Sequence, residues 1–345
     1  MCPLRHGSVK PTIESELQMF HSTIRRLLFC AAAMACLTAL PVNPALAADY
    51  PNKPVRMLVP FGAGGITDFV ARAFADQLGK ELGQAVIVDN RPGAGGNIAA
   101  EALKRATPDG YTVMLTTMGL VAVNPHTYAA LRFDPLVDFS YISTVAETPH
   151  AVVVGASVAA EDLPALIALA KKKREELSYG TAGYGSSPFQ GMKLIEASTG
   201  ATFLHVPFKS GSEAVTNVMS GQVSMTLEAL PVVLPQAQSG KLKVLAIAAT
   251  KRHASAPNLK TTAELGSPGI LSSSASGLIA PAGLPADIVA RLSAATRAAL
   301  KDTQLKARLF VQGSDATGST PAQYLEQVKA EQLKWGKLLA GSPRI

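Results

Sequence analysis

The chain has 345 residues, 48% of them hydrophobic and only 17% charged, with a formal net charge of +7. That length holds two ordinary domains or one large one, and the composition excludes a disordered chain. The basic balance does not read as a nucleic-acid surface: the run Lys171-Lys172-Lys173-Arg174 is answered at once by Glu175 and Glu176, and no basic and aromatic residues interleave as single-strand binding requires.

The first 47 residues read as a signal peptide. A short basic stretch ends in Arg25 and Arg26, an apolar run covers 27–40 with Thr38 as its only polar member, and Pro41, Asn43 and Pro44 precede Ala45-Leu46-Ala47. A basic region, an apolar region and an A-x-A site are the three parts of a secretory signal, and the apolar run falls short of the roughly 20 residues that span a bilayer. Residues 1–18 include Glu14 and Glu16 and lie far from the apolar run; we read them as an upstream extension, with Met19 the more natural start. Cys2, Cys30 and Cys36 all precede Ala47. The mature chain is therefore expected to be periplasmic, with no disulfide, no thiolate metal site and no cysteine nucleophile.

From residue 55 the pattern alternates short β-rich runs with helical ones. Strands are expected at 55–59, 86–88 and 112–116, with helices at 67–82 and 97–106. Phe69, Val70, Ala73, Phe74 and Leu78 lie on one side of the first helix, and Asn97 is a candidate N-cap of the second. Pro108-Asp109-Gly110 is a turn. Strand, helix, strand, helix, strand implies a parallel sheet with right-handed crossovers.

The rhythm restarts with an apolar run at 151–154. It continues through helices at 163–177, 188–198, 212–220 and 231–239 and strands at 177–180, 202–206, 223–227 and 242–248. A Ser-, Gly- and Pro-rich loop follows Leu265. A strand at 276–280 and three helices, at 285–300, 305–312 and 321–339, close the chain and are expected to return to the first sheet. The reading is an α/β protein of two lobes, 48–149 plus 272–345 and 150–271, joined by crossings at 147–150 and 269–274, which can close on a ligand by hinge motion.

Two segments carry the chemistry. Pro60-Phe61-Gly62-Ala63-Gly64-Gly65-Ile66-Thr67-Asp68 leaves a strand and opens a helix. Its glycines admit a close ligand, the first helical N–H groups have no internal partner, and with the helix dipole they form an anion site; a tight turn capped by Thr67 or Asp68 is the plainer reading. Gly180-Thr181-Ala182-Gly183-Tyr184-Gly185-Ser186-Ser187 has the same design ahead of the helix at Pro188. Both lie beyond carboxyl ends of strands, where open α/β sheets bind ligands, and together they suggest a clamp on a small anion. Thr117 ends the third strand at the same side. Glu228 ends the strand at 223–227 and is a candidate either for a ligand amine or for a hinge hydrogen bond. Asn90-Arg91-Pro92-Gly93-Ala94-Gly95-Gly96-Asn97 reads mostly as a surface turn. His126, His150, His205 and His253 lack metal-ligand spacing and read as structural.

Tyr50-Pro51-Asn52-Lys53-Pro54-Val55-Arg56, Val59-Pro60-Phe61, Gly64-Gly65 with Thr67-Asp68, the 90–97 loop, Pro108-Asp109-Gly110-Tyr111-Thr112, Leu177-Ser178-Tyr179-Gly180, His205-Val206-Pro207-Phe208-Lys209 and Ala280-Pro281-Ala282-Gly283, in that order, resemble the Bug family. These are TctC-like receptors of tripartite tricarboxylate transport systems. The resemblance implies a type II periplasmic-binding-protein fold and an extracytoplasmic solute-binding protein, without catalysis or cofactor, that captures a small carboxylate for uptake or sensing. It implies a monomer, with membrane transporter subunits as the candidate partners. By position, Phe61, Ala63, Gly64, Gly65, Thr67 and Asp68 would form one clamp and Gly183, Gly185, Ser186 and Ser187 the other, with Thr117 a cleft hydroxyl. Glu228 stands where the family commonly has Asp, and Leu120 and Tyr184 depart from its small polar residues, which suggests an altered distal pocket.

The alternative from another class is an exported α/β enzyme that binds a dinucleotide or an anionic substrate. Gly62-x-Gly64 after a strand and Asp89 after the second partly imitate the dinucleotide fingerprint, but Thr67 replaces its third glycine. No G-x-S-x-G elbow and no H-E-x-x-H occurs.

Overall fold

Four of the five residues of β1 (Val55–Val59) are buried, and only Arg56 is exposed. A strand buried on both faces belongs in a sheet covered by helices above and below. The structure, a computed structural model that describes residues 50–345 apart from 174–175 and 342–343, has this arrangement. The expected signal peptide at 1–47 lies outside the described residues.

The chain runs from β1 through α1 (Ile66–Leu82), β2 (Val86–Asn90), α2 (Asn97–Lys104) and β3 (Thr112–Thr117). A π-helical turn at Gly119–Val123 leads into the short α3 (Asn124–Thr127), and β4 (Phe139–Gly155) follows. Next come α4 (Leu163–Lys173), β5 (Ser178–Thr181), α5 (Ser187–Thr199), β6 (Leu204–Pro207), α6 (Gly211–Met219), β7 (Met225–Ala229), α7 (Leu230–Gln238) and β8 (Leu242–Ile247). The chain ends with β9 (Ser273–Pro281), α8 (Ala286–Ala299), α9 (Thr303–Val311), β10 (Asp315–Ala316) and α10 (Pro321–Leu338).

The strand order is β2-β1-β3-β9-β4-β7-β5-β6, with β8 and β10 also on β4. β1 pairs in parallel with β2 and β3, and β5 in parallel with β6 and β7. Between these two parallel sets β4 spans 17 residues and divides its pairing. Residues from Phe139 to Pro149 pair with β9, and residues from His150 onward pair with β7 and β8. Helices after β9 cover the first set: Leu292, Leu305 and Leu309 join Val55, Val59 and Phe74 on one face. Tyr324, Val328 and Trp335 join Leu58, Met114 and Ile279 on the other.

The expected strand at 151–154 is thus only the end of β4. Its first part was hidden by polar residues, and those are satisfied inside: buried Thr148 hydrogen-bonds Ser314 at 2.7 Å, and buried Ser143 donates to the Thr144 carbonyl. Buried polar groups need such partners, and nothing local names them. Asn97 is not the cap of α2. Gly96, in the left-handed region at φ 94°, holds that position, and the Asn97 side chain accepts instead from Asn124.

His150 marks the crossing. It is fully buried, with one ring nitrogen 2.8 Å from Ser272 Oγ and the other 2.7 Å from Ser274 Oγ. Burial pushes its pKa down to about 3, so the ring stays neutral.

Gly277 in β9 lies under the Tyr324 ring, where a Cβ would come within 2.3 Å of the ring atoms. Gly277→Ala is expected to destabilise the fold by about 1–3 kcal/mol through overpacking, read as a lowered midpoint in urea. An unchanged midpoint would mean that α10 is not held against this sheet.

Candidate ligand-binding site

Three helices begin at one small cavity. The N-termini of α1, α5 and α6 reach it through Gly65, Ile66 and Thr67, through Ser186, Ser187 and Pro188, and through Gly211. Phe61 and Ala182 fill its sides, and Thr117, Glu228 and Ser274 come from β3, β7 and β9. The cavity measures about 30 Å³, room for about two water molecules. Among the described residues no lysine, arginine or histidine lines it.

The three helix starts differ in which amides their own caps take. Gly65 caps α1 without a side-chain bond, so the opening amides of that helix face outward. In α5 the Ser186 hydroxyl accepts from Phe189 N and donates to the Gly183 carbonyl at 2.6 Å. It is therefore engaged in its own cap. Ser187 begins the helix, and its buried hydroxyl has no partner among the described residues. Ser210 caps α6 by accepting from Glu213 N, while the Glu213 carboxylate accepts from Lys209 N. Thr117 Oγ1 is the second buried hydroxyl on the wall with no partner among the described residues.

Glu228 is the single ionisable group on the wall. It is 2% exposed, and Oε1 accepts from Ala229 N at 2.8 Å. Burial raises its pKa to about 7, and the Ala229 amide opposes this only in part. Its other oxygen lies against Gly211, where a Cβ would fall 2.0 Å away.

Of the residues singled out in the sequence, Phe61, Gly65, Thr67, Thr117, Ser186, Ser187 and Glu228 meet at this cavity. Ala63, Gly64, Asp68, Gly183 and Gly185 do not line it. Gly64, at φ 85°, accepts a hydrogen bond from Ser212 Oγ. Asp68 accepts from Gly64 N at 3.0 Å, pairs with Arg72 and receives Asn90 Nδ2. Although burial opposes it, the Arg72 bond, with the Gly64 and Asn90 bonds, holds its pKa below the usual carboxylate range. It braces the first turn and touches no ligand space. Gly183 supplies the carbonyl for Ser186, and Gly185 packs on Gly95.

Three expectations need correction. The 90–97 loop is more than a surface turn: Gly95 and Gly96 are buried, and the Gly95 carbonyl accepts from Asn124 at 3.2 Å. Leu120 is fully buried and packs on Gly96 within the first core. Tyr184 packs edge-on against Phe189 and His205. Neither Leu120 nor Tyr184 is on the cavity wall. Sequence reading also missed the α6 start. Its signal was present: Ser210 with Glu213 three positions on is a capping pattern, set directly after a β-rich run.

A larger cavity of about 530 Å³ also borders Ser187, among Gln190, Glu147, Arg252, Lys334 and Trp335. Arg252 there pairs with Glu264 and Lys334 with Glu331. No convergence of helix starts faces it.

Residues 70–341 match the family model described as the tripartite tricarboxylate transporter family receptor. Protein BugT of Bordetella pertussis is 32% identical over 299 residues, covering 86% of this chain and 92% of that protein. Among solved structures, MatC from Rhodopseudomonas palustris with bound malate superposes with a TM-score of 0.80 at 29% identity, covering 84% of this chain and all of that one. An R. palustris protein solved with adipate gives 0.81 at 32% identity, covering 86% of this chain and all of that one.

The cavity is closed by contacts across it: Gly62 N donates to Lys209 O at 3.1 Å, Ser212 Oγ to Gly64 O, and Gly185 abuts Gly95. A Cβ on Gly185 would sit 2.1 Å from the Gly95 carbonyl. Gly185→Ala is expected to disfavour the closed arrangement and to weaken ligand binding at least about tenfold, a loss of ~1.4 kcal/mol. Small-angle scattering with ligand should show it failing to contract. Contraction equal to wild type would contradict this.

Proposed function

Because this chain belongs to the tripartite tricarboxylate transporter receptor family, we propose that it is a periplasmic solute-binding protein that captures a small carboxylate where α1, α5 and α6 converge. The observation that supports this reading most is the cavity itself: three helix N-termini and the unpartnered hydroxyls of Thr117 and Ser187 face a space with no cationic side chain. Such a site binds an anion through main-chain amides and hydroxyls. The two R. palustris structures hold malate and adipate, both dicarboxylates, and the same class suits this chain.

Capture would work by hinge closure. The crossings at Pro149–His150 and Leu271–Ser272 are the flexible joints of this reading, with lobes at 48–149 plus 272–345 and at 150–271. Opening would separate Gly62 from Lys209 and Gly64 from Ser212 and admit a ligand; because the present cavity holds only about two waters, closure around a ligand would stop short of restoring all of those contacts. The role is delivery to membrane transporter subunits or sensing, and chemical conversion has no part in it.

Titration calorimetry against malate, adipate and NAD tests the reading. Micromolar binding of an acid and none of NAD is expected, and Thr117→Val should weaken acid binding about 10- to 150-fold, the ~1.5–3 kcal/mol of a hydrogen bond to a charged group. Binding of NAD in preference to the acids would favour the enzyme alternative instead.

A further inference from the structure

Glu228 poses a problem of charge that the carboxylate reading must resolve. Its carboxyl group is buried on the wall of the cavity in which that reading seats an anion. Two carboxylates in one dry site repel strongly unless a cation or a proton intervenes.

No cation is placed to do so. The charged and titratable groups near Glu228 on the elements packed around it are engaged with other partners; Asp76, Lys80 and Glu81 lie further along α1, Glu147 of β4 accepts from Ser273 Oγ, and Tyr179 of β5 stacks on His205. On α1, Asp68 is turned to Gly64, Arg72 and Asn90. On α6, Glu213 is held by the Lys209 amide. On α5, Lys193 pairs with Glu196, 2.7 Å away. On β4, His150 is beside Ala229 in the pairing but is kept neutral between Ser272 and Ser274. β3, β5 and α7 bring no charged side chain. Burial and the Ala229 amide are what act on Glu228 itself.

The helix starts do not balance two charges either. Each carries about half a positive charge, so three supply on the order of 1.5. That suits one carboxylate and is too little for two.

Resting on the proposed carboxylate site, we propose that Glu228 is the specificity-determining proton holder of this receptor: its carboxyl group and the ligand's share one proton, so that ligand and proton are captured together. Glu228 Oε1 already accepts from Ala229 N, and the other oxygen, free of any hydrogen bond among the described residues, carries the proton to the ligand oxygen. No bond other than this hydrogen bond forms.

The pH dependence follows. The competent form is the one with Glu228 protonated, and apparent affinity scales with its population. Because burial lifts the free group to about 7, affinity is near its plateau at pH 6 and falls about tenfold per unit above pH 7.5. The carboxyl groups of malate and adipate stay ionised across this window.

The test is calorimetry with malate and adipate at pH 6.5, 7.5 and 8.5, in paired buffers of different ionisation heat, on wild type and Glu228→Gln. Wild type should take up close to one proton per ligand at pH 8.5 and less at pH 6.5. Glu228→Gln, neutral at every pH, should bind within a few-fold of wild type at pH 6.5, with no uptake and a flat pH profile. Wild-type binding without uptake or pH dependence would overturn the proton while leaving the carboxylate site standing. The same uptake in Glu228→Gln would overturn it too. Affinity for either acid that rises with pH and is lost in Glu228→Gln would overturn the shared proton, because it would make ionised Glu228 the binding form. If neither acid binds at any pH, the carboxylate reading fails and the shared proton with it. Should the variant not fold, the wild-type uptake decides alone.

Discussion

Unpaired amides at the first turns of helices are the constraint around which this protein is arranged. A helix leaves its opening N–H groups without internal partners. Burying three such starts at one point demands an acceptor, because an unmet buried donor costs about 1–3 kcal/mol. Here α1, α5 and α6 open onto the same cavity, together with two unpartnered hydroxyls. Small residues at Gly65 and Gly211 let backbone, rather than side chain, form the wall. A site of this kind needs no arginine, and it recognises negative charge more than a particular carbon skeleton.

Two buried titratable groups sit close to the joint between the sheets, and they respond to pH in opposite senses. Burial depresses His150 from the usual 6.5 to about 3. Below 6.5 the unfolded chain takes up the proton more readily than the fold does, so the stability it contributes is full above that pH and erodes as pH falls. Glu228 is raised to about 7 from 4.5. Its ionisation favours the unfolded chain, so its contribution is complete below 4.5 and is lost as pH climbs through 7. An anion beside Glu228 would raise its pKa further, and binding and protonation would reinforce one another.

Much of the fold was legible because strands and helices announced themselves by period. β1, β3, α1 and α10 fall within a residue or two of their expected bounds, and the C-terminal helices do lie on the first sheet. The first part of β4 was not legible. Its buried Ser143, Thr148 and His150 look like loop residues until Ser314, Ser272 and Ser274 are brought opposite them from more than a hundred positions away. At the site, the glycine segments pointed to helix starts that reach the cavity, but not to which atoms face inward. Gly64 and Asp68 match the motif and yet act within their own turn, and Ser186 is occupied by its own helix. Gly211 and Ser274 reach the cavity only through tertiary packing, and no local pattern marks that.

The central claim is that main-chain amides, and no basic side chain, hold the anion. A crystal structure with bound malate tests it most directly. We expect one malate carboxylate within hydrogen-bond distance of amides at the starts of α1 and α5 and of the Thr117 and Ser187 hydroxyls, beside Glu228, with no lysine or arginine nitrogen in contact. Malate seated in the larger cavity and paired with Arg252 or Lys334 would contradict it.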